Sequence, residues 1–128
     1  MATTPEQIDD FLAQTRVAVV GVSTDQSKFG WIVYQNLKTR GYAVFAVNPR
    51  YAECHGEQCY PSVADLPVVP GLAVLVVPPA VSERLMPELA AAGIQRVWLQ
   101  PGAESPEALV AAELAGLQVV HGACIMMA

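Results

Sequence analysis

Two short stretches carry residue types that could do chemistry. The first runs Gly21-Val22-Ser23-Thr24-Asp25-Gln26-Ser27-Lys28-Phe29-Gly30, directly after the apolar run Val17 to Val20. A tight-turn glycine, hydroxyls at Ser23 and Ser27, a cation at Lys28 and the free N–H groups of a helix opening near Gly30 together suit a phosphate. The spacing is not G-x-G-x-x-G, because Ser23 and Gln26 stand where the second and third glycines belong. A plain strand-to-helix turn would need Gly21 as well, so the loop alone names no ligand.

The second stretch is Asn48-Pro49-Arg50, which closes the apolar run Tyr42 to Val47. A NAD site places an Asp or Glu here to accept from the ribose hydroxyls. Arginine instead suits a ribose bearing an extra phosphate, since a guanidinium pairs with phosphate through two parallel hydrogen bonds. NADP and coenzyme A both carry such a phosphate. The chain has only seven basic residues and a net charge of −5, yet Lys28 and Arg50 both fall on these loops.

Other positions offer less. Val77-Pro78-Pro79 closes another apolar run and would make a rigid wall for an adenine, or simply stop a strand. Gln100, before Pro101-Gly102, offers a hydrogen-bonding side chain at a further strand end. His55 and His121 sit in no nucleophile elbow and in no metal-binding helical spacing, and Cys54 to Cys59 is poor zinc spacing. No catalytic group and no metal site emerge. Cys124, in the apolar tail, reads as a core thiol for want of a nearby positive group.

These loops must be positioned by strands and helices in alternation. Thr4, Pro5 and Gln7 predict a capped lead helix within residues 1–15, with Ile8, Phe11 and Leu12 on one face. Strands are expected at Val17 to Gly21, Tyr42 to Val47, Leu72 to Val77, Arg96 to Gln100 and within Leu117 to Gly122. Helices are expected over about Gly30 to Arg40, around Val81 to Leu89, and from Pro106 under a Ser105 cap to Gly116. Pro87 must lie in a first turn or kink its helix. The strand runs do not alternate polar and apolar, which is the mark of a parallel sheet covered on both faces. The expectation is a doubly wound, mostly parallel, five-stranded Rossmann-like α/β sheet of order 3-2-1-4-5, with Asn48 to Gly71 as one long connection. In such sheets ligands bind outside the carboxyl ends of the strands, at the switch point beside the first strand.

Bulk properties narrow the classes further. A chain of 128 residues, 53% hydrophobic and 15% charged, is long enough for one domain with a real core. Its acidic balance argues against nucleic-acid and anionic-membrane partners. No run approaches a bilayer span and no basic leader opens the chain, so a cytoplasmic protein with reduced thiols is expected.

Taken in order, "VAVVGVS…SKFG", "VNP", "GEQCYPSVADLP", "LAVLVVPP" and "VWLQPGAES…GLQVVHGACIMM" resemble the small bacterial CoA-binding proteins. Those are similar to the nucleotide-binding domain of the succinyl-CoA synthetase alpha subunit and of ADP-forming acyl-CoA ligases. The resemblance extends from Arg16 to Met127 and implies one CoA-binding domain over residues 1–128. It puts Gly21, Ser23, Lys28 and Gly30, with Ser27 between them, on the phosphate-binding loop. Asn48, Pro49 and Arg50 would face the adenosine ribose and its phosphate, Val77, Pro78 and Pro79 the adenine or pantetheine, and Gln100 the reactive end. The ligases' phosphorylated histidine and grasp-type partner are not expected from these residues. The expected function is therefore binding of CoA or an acyl-CoA without ligase chemistry of its own, acting alone, as a homodimer or with a partner subunit. The alternatives are an NADP-dependent oxidoreductase and a nucleotide-binding subunit of a larger complex.

Overall fold

A computed structural model describes residues 3–128. The elements in chain order are α1 (Pro5–Leu12), β1 (Arg16–Val20), α2 (Phe29–Thr39), β2 (Ala43–Val47), β3 (Glu53–Cys54), β4 (Glu57–Tyr60), β5 (Leu72–Leu75), α3 (Pro79–Ala91), β6 (Arg96–Leu99), α4 (Pro106–Leu114) and β7 (Gln118–Val120). Single 3-10 turns follow at Val63–Asp65 and Ile125–Met127.

The sheet has seven strands in the order β3-β4-β2-β1-β5-β6-β7. All neighbours pair in parallel except β3 with β4. The expected count of five strands is therefore corrected to seven. Among the five expected strands the order is also corrected, since Leu72–Leu75 pairs directly with β1. The position beyond β2 is taken by β4, from inside the connection expected to be a loop. Counting β4 as the third parallel strand restores the doubly wound order, 3-2-1-4-5-6.

Both faces of the sheet are covered, as its unalternating strands require. Val17 and Val19 of β1 point into a core shared with Phe11, Val33, Leu37 and Trp98, under α1, α2 and the C-terminal turn. Ala18 and Val20 point to the other side, among Met86 and Leu89 of α3 and Ala108 and Ala112 of α4. The lead helix is capped by Thr4, whose Oγ1 accepts from the Gln7 N–H at 3.1 Å. Gln7 does not complete a capping box. Its Nε2 donates instead to the Val119 carbonyl at 3.2 Å, tying α1 to the β7 side of the sheet. Pro87 lies in the interior of α3, beyond its first turn, and the helix continues through it. Among the described residues no helix is long and apolar enough to cross a membrane.

Candidate functional site

At the carboxyl ends of β2, β1 and β5 the chain leaves a cleft of about 680 Å³. Its first wall is the β1–α2 loop. Gly21 has φ +104°, a left-handed conformation costly for any residue with a Cβ, and a Cβ there would overlap the Val76 carbonyl. A Cβ on Gly30 would overlap the Gly21 carbonyl. The two glycines thus let the start of α2 sit directly on the turn that follows β1.

Between them the loop is held by its own side chains. Ser23 Oγ accepts from the Asp25 N–H at 3.0 Å, and Asp25 Oδ1 accepts from the Ser27 N–H at 2.9 Å and the Ser27 hydroxyl at 2.6 Å. The Ser27 hydrogen bonds hold the Asp25 carboxyl below its ordinary value. Lys28 is the residue at which α2 begins, and no side chain caps that end. The first N–H groups of α2 have no intrahelical acceptor, which leaves partial positive charge beside the cleft.

The second wall is the segment after β2. Asn48 Nδ2 donates to the Val22 carbonyl at 2.9 Å, and Asn48 Oδ1 accepts from the Arg50 N–H at 2.9 Å. One side chain therefore fixes the Asn48-Pro49-Arg50 turn and ties it to the β1–α2 loop. The hairpin of β3 and β4 adds a second tie. Its two turn residues, His55 at φ +50° and Gly56 at φ +80°, both take left-handed backbone, as a two-residue type I′ connection requires. His55 Nε2 lies 2.6 Å from the Thr24 carbonyl, and its ring meets the Trp31 ring edge-on at 4.6 Å between centroids.

Of the expected residues, Gly21, Ser23, Lys28, Asn48, Pro49, Arg50, Val77 and Pro78 line this one cleft. Three do not. Ser27 turns inward to Asp25, Gly30 is buried against the Gly21 carbonyl, and Pro79 opens α3 behind the lining Pro78. Gln100 lies in an adjoining lobe of about 460 Å³ with Phe29, Pro101 to Ala103 and Cys124, and the two spaces share Val76, Val77 and Pro78. Gln100 is 4% exposed and its side chain is engaged. Oε1 accepts from the Ile125 N–H at 2.7 Å and Nε2 reaches Cys124 Sγ at 3.2 Å, so it clasps the C-terminal tail.

Sequence reasoning missed Tyr51, Ser62, Val81, Arg84, Leu85 and Glu88, which also line the larger cleft. The helical recurrence of Val81, Leu85 and Leu89 was legible. That Val81, Arg84, Leu85 and Glu88 form the cleft face of α3 was not, because it depends on where α3 docks. Among the described residues no cluster of His, Cys, Asp or Glu could hold a metal ion.

The cleft lies at a switch point of the sheet, beside its first strand. Residues 15–128 match the family described as CoA binding domain. The chain is 31% identical over 121 residues to an ADP-forming acetate–CoA ligase of Archaeoglobus fulgidus, matching 87% of this chain and 18% of the ligase. It is 35% identical over 91 residues to the alpha subunit of an ADP-forming acetate–CoA ligase of Pyrococcus furiosus, matching 70% of this chain and 20% of that subunit. The chain thus spans about a fifth of the length of these curated relatives. Among solved structures, a conserved hypothetical protein from Pyrococcus furiosus superposes with TM-score 0.82 at 41% identity, covering 88% of this chain and 97% of that one. A hypothetical protein from Pyrococcus horikoshii gives TM-score 0.90 at 33% identity, covering 98% and 89%. With the family match spanning nearly every residue that builds the sheet and its cleft, the chain belongs to the CoA binding domain family.

Proposed function

We propose that this protein binds coenzyme A or an acyl-CoA across the carboxyl ends of its parallel strands, as one binding domain with no ligase chemistry of its own. The observation that carries this reading is the distribution of charge. Among the described residues, ion pairs engage Lys38 with Glu57 and Arg96 with Asp10. Lys28 and Arg50 have no such partner and both line the larger cleft. In a chain of net charge −5, cations without ion-pair partners on one cleft, Lys28 at the uncapped helix start among them, suit a phosphorylated ligand.

The diphosphate lies against Gly21, Ser23, Lys28 and the start of α2. The phosphorylated ribose faces Asn48, Pro49 and Arg50, with the adenine against Val77 and Pro78. The pantetheine arm continues past Val76 into the smaller, mainly apolar lobe, where an acyl group would meet Phe29, Ala103 and Cys124. The reading gives the domain a carrier, sensory or regulatory role.

Calorimetric titration with CoA and acetyl-CoA is the direct test. Saturable binding with Kd well below about 1 mM is expected, and no binding by either ligand at that level would sink the reading. Arg50 at the end of β2 also favours a second reading, a site for NADP. Quenching of tryptophan fluorescence by NADPH but not by CoA would establish that one instead.

A further inference from the structure

We propose that Arg84 and Arg50, which both line the larger cleft, together recognise a phosphate monoester on the ligand's ribose, making this corner of the site a discriminator between phosphorylated and unphosphorylated adenosine. The inference rests on the reading of the cleft as a nucleotide site and adds a residue and a selectivity to it.

The argument starts from the helical period. Val81, Arg84, Leu85 and Glu88 recur at i, i+3, i+4 and i+7, which puts them on one face of α3, and all four line the cleft. Ser82, Met86 and Leu89 occupy the buried side of the same helix. Arg84 therefore stands on the ligand side by the geometry of the helix. Arg50 lines the same cleft from the turn after β2, where its own N–H is held by Asn48 Oδ1 at 2.9 Å. The 3-10 turn Val63–Asp65 packs near α3, and Ser62 and Val63 line the same cleft as the two arginines.

Neither arginine forms an ion pair among the described residues, and Glu88, one turn along α3 from Arg84, is the acidic side chain lining the cleft. A single cation would suffice for the singly charged oxygens of a diphosphate, the task proposed above for Lys28 and the start of α2. Two guanidinium groups offer paired donors to a terminal phosphate, which near neutral pH carries between one and two negative charges. Coenzyme A bears such a group at the ribose 3′ position and NADP at the 2′ position, so the chemistry is shared and the ligand must be distinguished by experiment.

Calorimetry on the intact protein and on Arg84→Ala, with Arg84→Lys as the conservative variant and thermal melting to check folding, provides the test. Four ligands are compared: CoA, dephospho-CoA, NADPH and NADH. Wild type is expected to bind CoA about tenfold or more tightly than dephospho-CoA, as charged hydrogen bonds to one phosphate would give. Arg84→Ala should lose most of that ratio while holding dephospho-CoA within about twofold, and Arg84→Lys should restore it in part. A preference for NADPH over NADH that Arg84→Ala abolishes, with no CoA binding, would uphold the monoester site and overturn the CoA reading. Equal wild-type affinities for CoA and dephospho-CoA, or a ratio untouched in Arg84→Ala, would overturn the role of Arg84 and leave CoA binding standing. If wild type binds none of the four, the nucleotide reading falls and this inference with it.

Discussion

Gly21 and Gly30 set the shape of the β1–α2 loop by close approach to backbone, and backbone cannot move aside as a side chain can. Gly21→Ala adds left-handed strain to that overlap, so it should cost about 3 kcal/mol or more of stability, read by denaturant unfolding. Lys28 and Arg50 are exposed and carry none of the core. Lys28→Ala and Arg50→Ala should leave the melting temperature nearly unchanged and each weaken CoA binding by roughly 1.5–3 kcal/mol in a calorimetric titration. Unchanged affinity in both would refute the placement of the ligand. Gln100 is the opposite case. The sequence suggested a ligand contact, but its amide holds the buried Ile125 N–H, and Gln100→Ala should destabilise by roughly 1–3 kcal/mol because that donor loses its acceptor. A strand end tells which residues can reach a cleft. It does not tell which are already engaged by a tail more than twenty residues away.

Among elements, the strands with continuous apolar runs were legible because burial on both faces writes itself into every residue. The caps at Thr4 and Ser105 were legible too, and each accepts its expected hydrogen bond, from Gln7 and Ala108. The β3–β4 hairpin was not. Its strands have two and four residues, and its turn is His55-Gly56, where the usual signal is Asn-Gly. A period of two cannot be read from strands this short, and His takes left-handed backbone less commonly than Gly. The hairpin buries Cys54 and Cys59. Desolvation raises both thiols, Cys59 to about 11, with Cys54 beside it adding to the effect. Burial likewise raises Tyr34, on the neighbouring α2, to about 12. Above about pH 9 the unfolded chain releases thiol protons that the folded chain retains, so stability is full below that pH and declines as pH rises toward 11. Denaturation midpoints measured from pH 8 to 11 should fall, and Cys59→Ala should flatten the decline.

At the scale of the molecule, the two lobes are joined at Val76 to Pro78 and are proposed to hold one ligand. The three cysteines report on that. Cys54 and Cys59 are buried, whereas Cys124 is partly accessible on the smaller lobe. Alkylation at pH 8 should modify Cys124 first, leave the other two until the protein unfolds, and slow markedly under saturating CoA. Equal labelling with and without CoA would show that the ligand stops short of the smaller lobe. The fold class and the edge of the sheet that carries the cleft were legible from the order of strands and helices. The strand count and the α3 face were not, since both depend on packing between segments far apart in the chain.

The clasp of His55 on Thr24 and Trp31 has a thermodynamic consequence. Together with Asn48 on Val22, it makes the loop after β1, the turn after β2 and the hairpin tip a single jointed frame before any ligand arrives. Conformational entropy that a loose loop would lose on association is lost here during folding. Association should accordingly show little ordering penalty, and His55→Ala should shift it toward a less favourable binding entropy while leaving every proposed phosphate contact in place.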